Sequence, residues 1–357
     1  MTARLRDVAE QAGVSIGLVS RILNGDPRVR ASASTRAWVS SIANDLGYRP
    51  NVTARALKSA RTDTLGVVAP DLTNAFFTEL MRGIDERAGQ LGYTVLLGRA
   101  ESMYGGGQVA RMVEHGRVDG FILQGRDDES IESLTRLVSG APSVLVHGRL
   151  DGHPGSVMFD DSYAAHLATS WLVAHGHRRI GLIGGLPGLL TAQRREHGYR
   201  RALVDHGLRP QSRLITHFGY HPHEARAGLE ELIASGPMPT AVVVANVNAA
   251  LGVLTAARNF GLVVPADLSV VAIHDSWVCD HTWPPLTTVR TPLFTMGRTA
   301  VQQLHHRLGD GEPEDVMVTD PPPTLVVRES VAVRRRLPHQ APFDTQGDKE
   351  ADEPTPR

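Results

Sequence analysis

The sequence predicts a small all-α head at residues 1–50, a short helical connector, and an α/β core of two parallel-sheet blocks. Three observations lead there. Residues 5–24, LRDVAEQAGVSIGLVSRILN, hold two short helical runs broken at Gly13. From Leu65 onward, apolar strand-like runs alternate with amphipathic stretches long enough for crossover helices. That alternation starts again near Ser162, which makes two blocks rather than one.

In the head, Leu5, Val8, Ala9 and Ala12 share one helical face, and Leu18, Val19 and Ile22 share another after the Gly13-Val14 turn. Ala9 is small where two helices must cross, and Ser15 is placed to cap the second helix. A third helix is expected from Ser32 or Ser34 through Trp38, Val39, Ile42 and Leu46, ended by Gly47. Tyr48-Arg49-Pro50-Asn51 marks a boundary, because proline disfavours helix at the residue before it. Asn51 then caps VTARALKSA, which leads to a linker ending at Asp63. Two helices joined by a tight turn, followed by polar Ser20, Arg21 and Asn24, form a helix-turn-helix, whose second helix enters a DNA major groove.

Charge points the same way. Residues 1–61 carry ten Lys/Arg against four Asp/Glu, whereas the whole chain is −1, so the remainder is −7. A basic head on an acidic body is what phosphate neutralisation requires. The single cysteine, Cys279, excludes an intrachain disulfide framework. Arg4, Arg6, Asp7 and Glu10 interrupt any apolar signal region, and no apolar run reaches the eighteen or so residues of a membrane span. A cytoplasmic location is expected.

In the core, LGVVAP, YTVLLG, VDGFILQG and SVLVHGR read as strands of the first block. FFTELMRGIDERAGQLG, roughly 108–116 and SIESLTRLVSG read as its helices. In the second block RIGLIGG, RLITHFG, AVVVANV and LSVVAIHD read as strands, separated by helical stretches. LTTVRTPLFTMGRTAVQQLHHRL is expected to return to the first block. The expected domains are a head (1–50), a hinge helix and linker (51–63), a first core subdomain (64–161 plus about 290–330) and a second (162–289). A polar, acidic, disordered tail (338–357) follows. Two such blocks leave a cleft at the carboxyl ends of their strands, where ligands bind in folds of this kind.

Several segments together resemble the lactose/galactose repressor (LacI/GalR) family of transcription regulators. They are DVAEQAGVSIGLVSRILNG, VRASASTR, LGYRPNVTARALKS, TLGVVAPDLTNAFFTELMRGIDERAGQLGYTVLLG, RVDGFIL, GHRRIGLIGG, VVVANVNAALGVLTAARNFG, LSVVAIHD and PPLTTVRTPLFTMGRTAV. The resemblance covers about residues 3–330. It implies a homodimeric regulator with a periplasmic-binding-protein-like core whose cleft takes a small molecule, often a sugar. It also implies that effector binding reorients the core subdomains and so changes hinge pairing and operator affinity.

By the same resemblance, Arg21 reads guanine, Ile16 and Gly17 occupy the variable base-reading positions, and Ser20, Asn24, Ser32 and Thr35 meet phosphates. Ser32 and Thr35 also suit helix capping. Asn51, Ala54, Arg55, Leu57 and Lys58 match the hinge helix, with Leu57 as the wedge that kinks the minor groove. Arg4 and Leu18 depart from the family's usual Thr and Thr/Ser, which puts the first cap in question and removes a phosphate contact.

For the effector, the resemblance implies Asp71, Asn74, Phe76, Arg195 and Asn246, and the strand ends add His147, Arg149, His221, His274 and Asp275. His274 stands where the family usually has aspartate, which points to a neutral polyol, sugar or mildly acidic ligand. No cofactor or metal is expected. Gly105-Gly106-Gly107 lacks the Lys-Ser/Thr of a phosphate loop and reads as a connector. The sixteen histidines are not read as parts of a hydrolytic triad, so no enzyme is expected. Residues 338–357 contain no leucine, so the family's tetramerising heptad is absent and a dimer is expected. The resulting reading is a repressor of a carbohydrate-utilisation operon that binds palindromic operator DNA. The alternatives are a regulator that depends on a purine or protein corepressor, and a sugar-binding receptor without DNA function.

Overall fold

The computed structural model describes residues 3–49 except 27, 61–99, 108–124, 138–153 and 155–334, with 132, 133, 135 and 136. The hinge positions Asn51, Ala54, Arg55, Leu57 and Lys58, the Gly105–Gly107 run and the tail lie outside the described residues.

The head is three helices, α1 (Leu5–Ala12), α2 (Ile16–Leu23) and α3 (Ala33–Asp45). Val8, Ala9, Val19, Ile22, Val29, Val39, Ile42 and Ala43 form its core, with Leu5, Val14, Leu18 and Leu46 packed around them. Gly13 ends α1 at φ 69°, a left-handed conformation that glycine adopts without steric cost. Ser15 Oγ accepts from Leu18 N (3.2 Å) and Ser32 Oγ from Thr35 N (3.1 Å), so both expected serine caps are present. Arg4 is the residue before α1. Its side chain has no acceptor, and the cap comes instead from Asp7, whose Oδ2 accepts from Arg4 N at 2.8 Å.

The chain divides into two compact units, Met1–Phe159 with Pro292–Pro321 and Asp160–Thr291 with Pro322–Arg357. In the first, the described strands are β1 (Thr64–Ala69), β2 (Thr94–Arg99), β3 (Gly120–Leu123), β4 (Ser143–Val146), β5 (Ser156–Phe159) and β11 (Val316–Val318). They lie in the order β11-β5-β4-β3-β1-β2, all parallel. Helices α4 (Phe76–Gln90), α5 (Gln108–Glu114) and α10 (Leu293–Leu308) belong to this unit. β3, β4 and β5 are buried along their whole length, as a parallel sheet covered on both faces demands.

The second unit repeats the plan with β6 (Ile180–Gly184), β7 (Ile215–His217), β8 (Ala241–Val244), β9 (Ser269–Ile273), β10 (Thr287–Arg290) and β12 (Thr324–Val326). The order is β12-β10-β9-β8-β6-β7, parallel except for β12 against β10. Its helices are α6 (Asp161–Ala174), α7 (Leu190–Asp205), α8 (Pro222–Ala234) and α9 (Val247–Asn259). Both strand orders reverse beside the first strand, between β1 and β3 and between β6 and β8. Open sheets hold ligands outside the strand carboxyl ends at such points.

One boundary is corrected. Residues 322–330 were expected in the first subdomain, yet β12 pairs with β10, and Ser330 Oγ donates to Val270 O (2.6 Å) and accepts from Thr287 N (2.8 Å). These bonds tie the segment to the second sheet. No helix among the described residues is long and apolar enough to cross a membrane.

Glycines set the helix crossings. A Cβ on Gly83 of α4 would lie far inside the contact distance of carbon and oxygen from Phe294 O on α10, and one on Gly297 would lie as far inside it from Leu80 O. Intrinsic propensity alone favours Gly83→Ala by about 1 kcal/mol. A backbone oxygen cannot move aside as a side chain can, so the contact outweighs propensity. Gly83→Ala is expected to lose about 1–3 kcal/mol of stability in denaturant unfolding, and a gain would show that the crossing relaxes.

His177 gives a pH dependence. Its Nε2 faces Ala332 O (3.1 Å) and its Nδ1 Thr240 Oγ1 (2.9 Å), fastening the chain after β12 to the second unit. Burial pushes its pKa from 6.5 down to about 4. The unfolded chain therefore binds a proton that the folded chain refuses, and stability falls as pH drops from about 6.5 toward 4. His177→Gln is expected to flatten that part of the stability–pH curve. An unchanged slope would assign it to other groups.

Candidate DNA-reading helix and ligand-binding residues

The helix α2 buries Val19 and Ile22 in the head core and leaves its opposite face to solvent. Ile16 is 47% exposed, and Gly17, Arg21 and Asn24 are also exposed. A Cβ at Gly17 would meet nothing within 4 Å, so the surface there is bare backbone. Arg21 Nε donates to Asp26 Oδ2 at 2.8 Å, and Arg28 N donates to Asp26 Oδ1 at 2.8 Å. The hydrogen bond from Arg21 leads the effects that hold the Asp26 carboxyl below its usual range. The contact uses Nε, so the Nη1/Nη2 edge that pairs with guanine is not consumed by it.

Asn24 Nδ2 donates to Ser20 O (2.7 Å), so these two residues fasten the end of α2. Ser32 Oγ lies 2.8 Å from Thr35 Oγ1, so both hydroxyls sit together at the start of α3. Arg36 Nη2 donates to Val29 O (2.7 Å) and staples the loop between α2 and α3. Leu18, whose family counterpart is polar, is half-buried against the head core. Gly13-Val14-Ser15-Ile16-Gly17 spells the G-x-S-x-G of a hydrolase elbow. That elbow needs a strand-to-helix turn, whereas Ser15 lies between two helices and its Oγ is a cap.

In the first unit, the loop after β1 carries Asp71 and Asn74. Asp71 Oδ1 accepts from Thr73 N (2.8 Å) and Oγ1 (2.6 Å), and Asn74 Oδ1 accepts from Phe76 N (3.1 Å). Both side chains therefore shape the entry to α4. Phe76 and Phe77 are each 5% exposed and meet edge to face. His147 follows β4 at φ 58° and is half-buried between Phe76 and Phe159, with ring centroids 5.0 and 5.1 Å away and nearly parallel planes.

Arg149 departs from expectation. It lies 3.6 Å from Asp315, and Asp315 Oδ1 accepts from Ser156 N at the start of β5. That ion pair places it at the amino-terminal edge of β5 and β11, not at strand carboxyl ends. Sequence reading missed Gln124, directly after β3, whose Oε1 is buried without a hydrogen-bond partner among the described residues. A polar residue closing the apolar run GFIL was its signal.

The second unit has a denser polar set. Gly198 on α7 packs against Ser162 on α6 so closely that a Cβ would strike Ser162 O. This crossing brings Asp161, one residue before Ser162, to Arg195, one turn before Gly198. Arg195 is 3% exposed and Asp161 fully buried, with Nε and Nη2 of the arginine both 2.8 Å from Asp161 Oδ1. Arg195 Nη1 donates to Ala245 O (2.6 Å), just beyond β8, and Nη2 donates to His274 Nε2 (2.9 Å), just beyond β9. A guanidinium only donates, so His274 Nε2 accepts and its proton sits on Nδ1, which donates to Thr291 Oγ1 at 2.7 Å. His274 holds φ 70°, an uncommon backbone state for a side chain of its size. Asn246 is buried and caps α9, its Oδ1 accepting from Ala249 N at 2.7 Å.

Asp275 and His221 lie outside this set. Asp275 Oδ1 accepts from Thr288 Oγ1 (2.7 Å) and Arg328 Nη1 (2.9 Å), while Oδ2 accepts from Arg290 Nη2 (2.7 Å). Burial works against its charge, yet the hydrogen bonds from Arg328, Thr288 and Arg290 prevail and hold its carboxyl below the usual range. Its ion pairs tie β10 to the chain after β12, in place of the expected ligand contact. His221 is the residue before α8, its N–H donating to Glu224 Oε2 (2.8 Å) and its ring stacked on His223. The neighbour of Arg195 is instead Tyr220, whose ring centroid is 5.9 Å from the guanidinium carbon and whose hydroxyl meets Thr191 Oγ1 at 2.9 Å. Asp161, Thr291 and Tyr220 were not singled out from the sequence. Only the Asp160-Asp161 pair ahead of an apolar helix hinted at the first.

A buried guanidinium stripped of its carboxylate is costly. Asp161→Ala is expected to lose about 3–5 kcal/mol of stability in denaturant unfolding, and the double change Asp161→Leu with Arg195→Met to recover most of it. A single-variant loss below about 1 kcal/mol would mean that water reaches the pair.

These features have counterparts in known proteins. Residues 4–51 match the family described as bacterial regulatory proteins, lacI family, and residues 169–331 match the periplasmic binding protein-like domain. The chain is 33% identical over 340 residues to the HTH-type transcriptional regulator GalR of Escherichia coli (strain K12), covering 92% of this chain and 96% of that protein. It is similar to a solved CelR–cellobiose complex, with 30% identity and TM-score 0.66 over 92% of this chain and 99% of that one. It is also similar to the lac repressor dimer bound to operator and the anti-inducer ONPF, with 27% identity and TM-score 0.75 over 93% and 100%.

Proposed function

This chain belongs to the lacI family of bacterial regulatory proteins, so it is a DNA-binding transcription regulator and not an enzyme, and on that premise we propose that it is a cytoplasmic, homodimeric repressor of a carbohydrate-utilisation operon, controlled by a sugar or sugar derivative. The observation that carries the ligand reading is the buried set of Arg195, Asn246 and His274 at the carboxyl ends of β8 and β9. Charged and amide groups held at fixed angles recognise hydroxyls by direction as well as distance. The similar CelR was solved with cellobiose, which favours a hydroxyl-rich ligand here as well. Asp71, Asn74, Phe76 and His147 are the candidate contacts carried by the first unit.

On DNA, Arg21 donates to a guanine, Ile16 packs on a thymine methyl and Gly17 admits the backbone to a base edge. Ser20, Asn24, Ser32 and Thr35 meet phosphates and set register. Asn51, Ala54, Arg55, Leu57 and Lys58 form the hinge, with Leu57 wedged into the minor groove. The dimer serves two half-sites of a palindrome. Trp277 and Trp283, 68% and 92% exposed within the connection between β9 and β10, offer apolar surface for a second copy to cover. Ligand control is linkage, in which a ligand that favours one state of the protein shifts operator affinity by its difference in affinity for the two states.

Binding-site selection from random duplexes with the full chain tests the reading. A palindrome is expected, and galactose, maltose or cellobiose added to the selected duplex is expected to change its affinity. Failure to enrich any motif, with or without these sugars, sinks the proposal, while a response to purines alone replaces the sugar by a corepressor. Arg21→Ala is expected to lose about 1–3 kcal/mol of discrimination at one base pair of each half-site. An unaltered motif removes Arg21 as a base reader.

A further inference from the structure

Three residues at the entry to the core converge on a single carboxylate and one helix end. Asp119, half-buried just before β3, accepts three hydrogen bonds through its two oxygens. Thr62 N (2.6 Å) and Thr62 Oγ1 (2.7 Å) donate to Oδ1, and Asp63 N (2.9 Å) donates to Oδ2. The backbone answers in kind, since Asp119 N donates to Thr64 O at 2.8 Å. Asp63 O accepts from Thr94 N (2.8 Å) at the start of β2, while Asp63 itself holds φ 49°. Arg61 Nη2 donates to Leu308 O (2.9 Å), one of the last carbonyls of α10, which lack partners within the helix. Hydrogen bonds to a charged acceptor are the stronger kind. Asp119 therefore fixes the point at which the chain from the head enters the core.

The clamp sits at one end of two strands whose other ends carry candidate ligand residues. β1 begins at Thr64, beside the clamp, and leads into Asp71 and Asn74. β3 follows Asp119 and leads into Gln124, whose buried Oε1 has no partner among the described residues. The strands are hydrogen-bonded neighbours in register, Leu65 opposite Gly120 and Val68 opposite Leu123. Six residues at about 3.3 Å each make β1 a rod of roughly 20 Å between the two ends. A paired, buried strand resists stretching and bending, so a displacement at one end is delivered to the other.

We propose that Asp119 is a positioning residue for operator recognition, the anchor through which β1 and β3 hold the DNA-binding head in its high-affinity arrangement. This rests on the regulator reading above. Asp119 touches neither DNA nor ligand in this role. It acts by fixing Thr62 and Asp63, and so the register at which the preceding segment leaves the core.

The test uses the full chain, the palindrome enriched by the parent protein and a scrambled duplex of equal length. Asp119→Ala is expected to weaken binding to the palindrome by about tenfold or more, while leaving affinity for the scrambled duplex unchanged in a chain that is still folded at the assay temperature. Amide hydrogen exchange at Thr62 and Asp63 is expected to accelerate. Asp119→Asn keeps one acceptor for Thr62 and should fall between the two, and it carries the test if the alanine variant does not fold. Fast exchange at both amides with undiminished discrimination between the duplexes overturns the proposal, as does unaltered exchange. If the parent protein selects no palindrome, the regulator reading fails first and the anchor falls with it. A normal selection with an indifferent Asp119→Ala removes the anchor alone.

Discussion

Keeping one guanidinium out of water organises the second unit. Arg195 is almost wholly buried, and an unpaired charge in that position is untenable, so Asp161 must be buried beside it. Reaching Asp161 requires α6 and α7 to cross at Gly198 and Ser162, where no Cβ fits. The remaining donors then fix the ends of two strands, through Ala245 O after β8 and His274 after β9, and His274 in turn is held by Thr291 after β10. A charge pair, a glycine crossing and three strand ends form one connected arrangement. The result is a rigid polar floor at the place where an open parallel sheet holds ligands.

The head obeys a different economy. Its eight-residue apolar cluster is made from its own three helices and Val29 of the loop between α2 and α3, and its helix starts are satisfied locally by Ser15, Ser32 and Asp7. That self-sufficiency leaves the outer face of α2 available for Ile16, Gly17 and Arg21. The Arg21–Asp26 ion pair holds the long arginine side chain in place, which reduces the conformational freedom it would lose in the proposed contact with a base. The basic head and acidic remainder keep phosphate attraction confined to the end of the chain that carries the reading helix.

The first unit joins these two economies. Its sheet presents the loop of Asp71 and Asn74 at one edge and receives the chain from the head at the other. β1 is the shortest covalent route between them. The stacked Phe76, His147 and Phe159 rings stiffen the carboxyl-end side of the sheet, as the Asp119 hydrogen bonds stiffen the opposite side. A transcription regulator needs both ends defined, because a slack end would absorb a displacement instead of passing it on.

Much of this was legible in the residues themselves. The head's helices, their serine caps and the Gly13 turn follow from local rules of periodicity and capping, which need only neighbours in sequence. So do the alternating strands and helices of the core, whose apolar runs are long enough to identify. Arg195 and Asn246 are legible through the family resemblance and His274 through its place at a strand end. The structure alone decided what their partners are. Asp161 lies 34 residues from Arg195 and reaches it only through the helix crossing, and Arg328 claims Asp275 from 53 residues away through the pairing of β12 with β10. Arg149 likewise looks like a ligand contact in sequence until Asp315 draws it to the opposite edge. Periodicity reports which face of an element is buried. It carries no information about which distant charge will be buried against it, and that pairing decided which of the expected contacts gather at the ends of β8 and β9 and which are drawn into ion pairs elsewhere.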